Sequence, residues 1–478
     1  MNRRDVYENP LLSRYASREM AELFSEKTKF STWRRLWIAL AEAEQELGLP
    51  ITDAQIAEMK AHVDDINYQD AERREAETRH DVMSHVYAYG LQCPQARPII
   101  HLGATSAYVG DNTDIIVMRS ALGLIKSKLV RLMASISRFA LEYKGMPTLG
   151  FTHFQAAQLT TVGKRASLWL QDFYLDYLET TRLADSIPML GVKGTTGTQA
   201  SFVELFDGDR GKAGMLDGIV AEKMGFAGVI PVSGQTYTRK VDSWILGALS
   251  GIGQSAGKMT NDIRLLQHLK EIEEPFESKQ IGSSAMAYKR NPMRSERVAS
   301  LSRHLINLAA DPAYTAATQW FERTLDDSAG RRIYIPQGFL TADAILDICS
   351  NIASGLVVYE KAIHGRIMSE IPFMATENIL MEAVKKGGDR QELHEKIRLH
   401  SMAAGKRVKE EGRPNDLLER IAGDPAFGLT EGDIGKLLAP EGYIGRAADQ
   451  VEEFINRYIQ PVLEENAGAA APEAELRV

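Results

Sequence analysis

Apolar residues recur at intervals of three and four over long stretches of this chain, and the longest stripe sets the expected architecture. Ile115, Met118, Leu122, Ile125, Leu129, Leu132, Met133, Ile136, Phe139 and Ala140 keep that spacing with no proline before Pro147. The pattern predicts a helix over about 112–145, roughly 30 residues or about 45 Å long. Leu168, Leu170, Phe173, Tyr174, Tyr177 and Leu178 predict a second over about 159–186. A third, over about 236–270, holds Gly247, Gly251, Gly253 and Gly257 among Ala248, Ser250, Ser255 and Ala256. Each interior glycine costs a helix about 1 kcal/mol against alanine, so this run stays helical only where a neighbouring backbone packs close. Shorter helices are expected at about 32–47, ended by Gly48, and at about 53–63, 293–313 and 336–360. Strand signals are scarce, with no hairpin dipeptide between alternating runs. Helices this long cannot cover their own apolar stripes, which points to an all-α bundle.

Composition narrows the class without naming a chemistry. The chain has 478 residues, 44% apolar and 25% charged, ordinary values for a globular protein with about two to four domains. Cys93 and Cys349 are its only cysteines, so neither a disulfide framework nor a cysteine metal cluster is implied, and a reducing cytoplasm is the expected location. No signal-like apolar region opens the chain, and no apolar run approaches the ~18 residues of a membrane span. The alanine-rich, acidic stretch 466–478 reads as a disordered tail.

Charge is unevenly distributed. The formal net charge is -8, yet Lys289, Arg290, Arg294 and Arg297 face the single acid Glu296 within residues 282–297. A basic loop on an acidic protein suits a small polyanion better than a nucleic acid, which needs a broad basic surface; a solvated turn before a helix is the competing reading. Further polar loops fall at Thr105-Ser106 and at Thr152-His153-Phe154-Gln155, next to predicted helices. His80 and His85 are five apart and do not share a helix face as a zinc motif would. Asp111 to Asp114 fail as a calcium loop because Ile115 would occupy a ligand position; they read better as first-turn acids of the long helix. The glycines of 191–197 lack the spacing of a phosphate loop and read as a connector.

The stretch Gly282-Ser283-Ser284-Ala285-Met286-Ala287-Tyr288-Lys289-Arg290-Asn291, with Glu296 downstream, resembles the signature of the fumarase/aspartase superfamily, whose members eliminate or add fumarate at C–N or C–O bonds. Within it the wording is similar to the adenylosuccinate lyase family. The same resemblance runs through Arg79-His80-Asp81-Val82-Met83, His101 to Ser106, Thr152 to Gln155, Gly234 to Lys240 and Trp320 to Ser328. Ala156 and Ala287 depart from it, each standing where many relatives have proline.

The resemblance implies roles residue by residue. His153 matches the general acid that protonates the leaving nitrogen, Ser283 the mobile-loop general base, and His80 a histidine that orients substrate. Lys289 and Asn291 match groups that hold the succinyl carboxylates, with Thr105 and Ser106 beside them. Arg14, Tyr15, Gln235, Arg297, Arg323, Ser328 and Arg332 match nucleotide-binding positions, Arg79 and Asp81 flank His80 in the same substrate-binding set, and Glu296 matches a partner that orients its neighbours. The expectation is therefore an all-α enzyme of three domains, at 1–111, 112–358 and 359–478, with a fumarase/aspartase-like central bundle. It would release fumarate from adenylosuccinate and from the succinyl-carboxamide imidazole ribotide of purine synthesis, with no metal or organic cofactor. Its implied assembly is a homotetramer whose sites are shared between chains. A sibling lyase acting on argininosuccinate or aspartate, and a non-catalytic helical scaffold, are the alternatives.

Overall fold

The computed structural model describes residues 5–467. From residue 468 on, the expected tail lies outside the described residues. The molecule is helical, and its centre is a bundle of four long helices, Ser106–Glu142, Val162–Ser186, Lys240–His268 and Asp327–Ser354, joined by Met293–Leu308. The stripe that predicts the first of these is its buried face: each of its ten residues from Ile115 to Ala140 is at most 7% exposed. That helix starts six residues earlier than expected, so Asp111 and Asp114 are not first-turn acids but lie further in, against the bundle. The shorter helix predicted to begin near residue 32 starts at Glu26, because the Ser25 hydroxyl accepts from the Thr28 N–H and caps it.

The glycine-bearing helix divides its glycines between neighbours. Gly253 and Gly257 face the helix Met293–Leu308, where an added methyl would make only ordinary contact with Ser302 and Leu305, at 3.4–3.6 Å. Gly251 faces the Asp176 carboxylate, whereas a methyl group on Gly247 would meet nothing within 4 Å. The helix expected over 293–313 is two, Met293–Leu308 and Ala310–Ala317. Pro312 explains the break, since its ring would collide with the carbonyl of Leu308 and it has no N–H to give. The helix expected from Pro336 starts instead at Asp327 and carries Pro336 inside it.

One expectation about strands is overturned. Pro147–Thr152 and Gln155–Thr161 pair antiparallel, with Thr152 opposite Gln155 and an irregularity between Leu149 and Phe151. Gly150 is required there, because an added methyl would sit 2.7 Å from the Gln158 carbonyl oxygen. The turn is His153-Phe154, with φ of +53° and +57°. That left-handed pair is the geometry that Asn-Gly normally supplies to a two-residue hairpin, so the usual dipeptide signal is missing. The helix expected to open near residue 159 accordingly starts at Val162, capped by Thr161.

A large hydrophobic core runs through the bundle and the N-terminal helices, and a second, smaller one gathers residues between Ala375 and Ile434. Val451, Ile455, Ile459 and Val462 return to the large core. Lys128 bonds Asp343 and Asp347 at 2.5 and 2.6 Å inside the bundle, and Asp343 also accepts from the backbone and hydroxyl of Ser17. This cluster ties the N-terminal segment to the long helices.

Candidate active site

A cavity of about 1030 Å³ opens between the N-terminal helices and the bundle. Its floor is ionic. Arg239 bonds Asp111 at 2.9 Å and Asp327 at 2.6 Å, while Arg331 bonds Asp242 at 2.7 Å and Asp114 at 2.9 Å. Tyr237 gives its hydroxyl proton to Asp242 at 2.6 Å and accepts from Arg331. Burial opposes the Arg331 charge, but the surrounding carboxylates outweigh it and hold the guanidinium well above its usual pKa. Such a network fixes side chains because breaking any one pair strands a buried charge.

Nine of the residues implied by the resemblance stand in the wall above this floor: Arg79, His80, Asp81, Thr105, Ser106, Gln235, Arg323, Ser328 and Arg332. The backbone explains how they meet. Arg79 takes a left-handed conformation, φ +57°, at the end of the helix Tyr68–Thr78, which turns the chain so that His80 caps the next helix, Asp81–Gln92. The His80 Nδ1 accepts from the Met83 N–H at 3.2 Å, leaving Nε2 3.4 Å from the Ser106 hydroxyl. Thr105 and Ser106 open the longest helix. Arg323 donates to the Gln235 side-chain oxygen at 2.5 Å, and Gln235 also donates to the Thr195 carbonyl. Arg332 reaches Asp81 at 3.2 Å.

The other implied residues do not line this cavity. Arg14 and Tyr15 end the short turn Leu11–Tyr15, and the Arg297 guanidinium lies 5.7 Å from the centre of the Tyr15 ring. His153 is exposed at the hairpin tip. Ser283 lies in an extended loop where its Oγ accepts from the N–H groups of Met286 at 3.1 Å and Ala285 at 3.4 Å. Asn291 closes that loop by donating to the Gly282 carbonyl at 2.7 Å. Lys289 is exposed and forms no side-chain hydrogen bond or ion pair among the described residues, and Glu296 is exposed in the first turn of the following helix. The basic character of this stretch is smaller than the sequence suggests, since Arg290 pairs with Glu273 and Arg294 with Glu277.

Several residues of the cavity, five of them singled out here, had no site role assigned from the sequence. His101 accepts the Trp37 indole N–H at Nδ1, 2.9 Å away, and burial pushes its pKa down to about 4. It is therefore neutral near pH 7, and its Nε2 carries the proton. Lys29, Arg239, Arg331 and the acid Asp111 complete the group. Two of them carried a local signal, a charged residue on an apolar helical stripe, whereas His101 lies in a turn and Arg239 at a helix N-terminus. Asp111 lies four before Ile115, and Lys29 four before Trp33.

Among the described residues no group of three or more histidine, cysteine, aspartate or glutamate side chains is placed to hold a metal ion. The arrangement offers cations, hydroxyls and imidazoles to a mid-sized anionic ligand. Residues 15–306 match the family described as Lyase, and residues 372–454 match Adenylosuccinate lyase C-terminus. The chain is 54% identical to the adenylosuccinate lyase of Saccharomyces cerevisiae over 463 residues, covering 96% of each. It is 52% identical to that of Schizosaccharomyces pombe, covering 96% of this chain and 95% of the other. Among solved structures, 3-carboxy-cis,cis-muconate lactonizing enzyme from Pseudomonas putida superposes with a TM-score of 0.81 at 22% identity, over 95% of this chain and all of that one. Fumarate lyase from Mesorhizobium sp. BNC1 gives 0.79, also at 22%, over 95% of this chain and 100% of the other. The architecture is thus the fumarase/aspartase-like all-α fold, and the chain belongs to the adenylosuccinate lyase family of lyases.

Proposed function

We propose that this chain is a C–N lyase that splits adenylosuccinate into AMP and fumarate and acts likewise on the succinyl-carboxamide imidazole ribotide of purine biosynthesis. The observation that carries the reading is the cavity itself, which gathers nine nucleotide- and substrate-type residues from four distant stretches over a rigid ionic floor. Ser283 removes a Cβ proton from the succinyl group, and negative charge develops on the adjacent carboxylate, which Lys289 and Asn291 stabilise. The electron pair forms the fumarate double bond as the C–N bond breaks. His153 then gives the departing amine its proton. A serine hydroxyl is a poor base in water, but two backbone N–H groups already point at Ser283 Oγ, and donors of that kind favour an alkoxide.

The site is completed by neighbours in a homotetramer, with His80, His153 and Ser283 contributed by different chains. Two features of the single chain support this. His153 is exposed, Ser283 is half-buried at the base of an exposed loop, and both lie outside the cavity wall. The long helices also carry uncovered apolar side chains, with Leu168 47%, Leu175 56%, Leu178 45% and Trp244 53% exposed beside the open Gly247. No described helix is long and apolar enough to cross a membrane, and both cysteines are free and buried, in keeping with a cytoplasmic protein. The reaction is tested by adding adenylosuccinate to the purified full chain and following ultraviolet absorbance and fumarate release. Turnover supports the assignment; no release from either succinyl nucleotide, by protein that is folded and assembled, would refute it.

A further inference from the structure

Most charges in the cavity wall are already matched. Arg239 and Arg331 are held by the floor carboxylates, Arg332 by Asp81, and Arg323 by the Gln235 amide. Lys29 differs. It stands near the start of the helix Glu26–Glu46, in the wall of the same cavity. Its ammonium nitrogen lies 5.2 Å from the centre of the Phe30 ring and 4.9 Å from that of Trp33. Among the described residues it forms no hydrogen bond and no ion pair. Burial lowers its pKa, and the neighbouring Arg332 charge lowers it further, against the pull of Asp81, Asp114 and Glu26. An aromatic cradle leaves all three N–H donors of an ammonium without an acceptor. A half-buried cation in that condition is stabilised by an arriving anion more than an exposed one would be, since less water is displaced in making the contact.

We propose that Lys29 is a ligand-binding residue of this site, donating to an anionic oxygen of the substrate from the wall that also carries Arg332. The inference rests on the nucleotide reading of the cavity. The oxygen belongs either to the 5′-phosphate or to a carboxylate of the succinyl group; both are anionic acceptors of suitable reach.

The test uses the assembled full chain and three probes: AMP, which has the phosphate alone, fumarate, which has carboxylates alone, and adenosine, which has neither. Lys29→Met keeps the stem and removes the charge. Calorimetry is expected to show about 10- to 100-fold weaker binding of one anionic probe, the scale of a hydrogen bond to a charged group, with adenosine unchanged. Loss with AMP assigns the phosphate, and loss with fumarate the carboxylate. Unchanged binding of both anions overturns the proposal, as does an equal loss for adenosine, which would mean a packing role. Should Lys29→Met fail to assemble, wild-type protein decides by acylation with a small amine reagent, read by mass spectrometry. Protection of Lys29 by AMP or fumarate but not by adenosine is expected. A Lys29 that the reagent cannot reach, or that no anion protects, contradicts the assignment. Wild-type turnover is measured in the same preparation. An inactive wild type takes down the nucleotide reading and Lys29 with it, whereas an active one with unaltered anion binding in Lys29→Met removes Lys29 alone.

Discussion

The cavity wall and the two polar loops outside it are built on opposite terms. The wall is anchored by fully or nearly buried charges, Arg239, Asp111, Asp327, Arg331 and Asp242, tied to one another in a single network. The hairpin tip at His153 and most of the loop that carries Ser283 and Lys289 are exposed, with Ser283 itself half-buried, and their polar atoms are satisfied mainly by their own backbone or left open. One region is finished within the chain, and the other is presented outward. Recognition of a nucleotide needs rigid, pre-placed donors, which a buried network supplies. Proton transfer needs groups that can approach, and exposed turns supply those.

Breaking the floor should cost most in stability. Arg331→Met strands the fully buried Asp242 and is expected to destabilise the protein by about 3–5 kcal/mol, whereas Lys289→Ala should stay within about 0.5 kcal/mol. Thermal unfolding of both variants checks the contrast, and similar midpoints would show that the floor is not what holds the wall. The loops should show the reverse, an effect on chemistry alone. His153→Ala and Ser283→Ala are each expected to lower kcat by at least ~10²-fold with an unchanged circular dichroism spectrum; near-normal turnover in either would remove its assigned role.

A smaller change sharpens the recognition half. Arginine can hold phosphate through two parallel bonds where lysine offers a point charge, so Arg323→Lys should weaken AMP binding by about tenfold. Equal calorimetric affinity would exclude Arg323 as a ligand of the nucleotide. Glu44 provides a milder, pH-dependent comparison away from the cavity. It is 0% exposed, and burial raises its pKa from 4.5 to about 9. Between those values the folded chain keeps a proton there that the unfolded chain releases, so stability falls as pH rises, by about 1.4 kcal/mol per unit. The contribution is complete below the unfolded pKa and gone above about pH 9. Glu44→Gln should flatten this slope, so its advantage over wild type grows from pH 5 to pH 9. Parallel curves would mean that Glu44 ionises in place.

How much of this was legible in the sequence depended on the kind of signal. The buried stripe from Ile115 to Ala140 was plain because packing of a helix repeats every three to four residues. The hairpin was not, because His153-Phe154 reaches a turn conformation that sequence rules reserve for glycine and asparagine. Pro336 misled in the other direction, marking a helix start where the helix passes through. The candidate site was readable as local strings such as Arg79-His80-Asp81, but the floor was not. Asp111 and Arg331 are 220 residues apart in sequence, and only the tertiary fold places them 3.8 Å from each other. Lys29 escaped notice because the predicted helix began after it.

The central claim is that the exposed loops of one chain complete the cavity of another. It is tested most directly by refolding inactive His153→Ala and inactive Ser283→Ala subunits together and measuring turnover of adenylosuccinate, with light scattering to confirm mixed assemblies. If His153 and Ser283 come from different chains, some sites in the mixture carry neither lesion, and activity should return well above that of either variant alone. Activity that stays at the level of the separate variants in confirmed mixed tetramers would contradict the account and require each chain to build its own site.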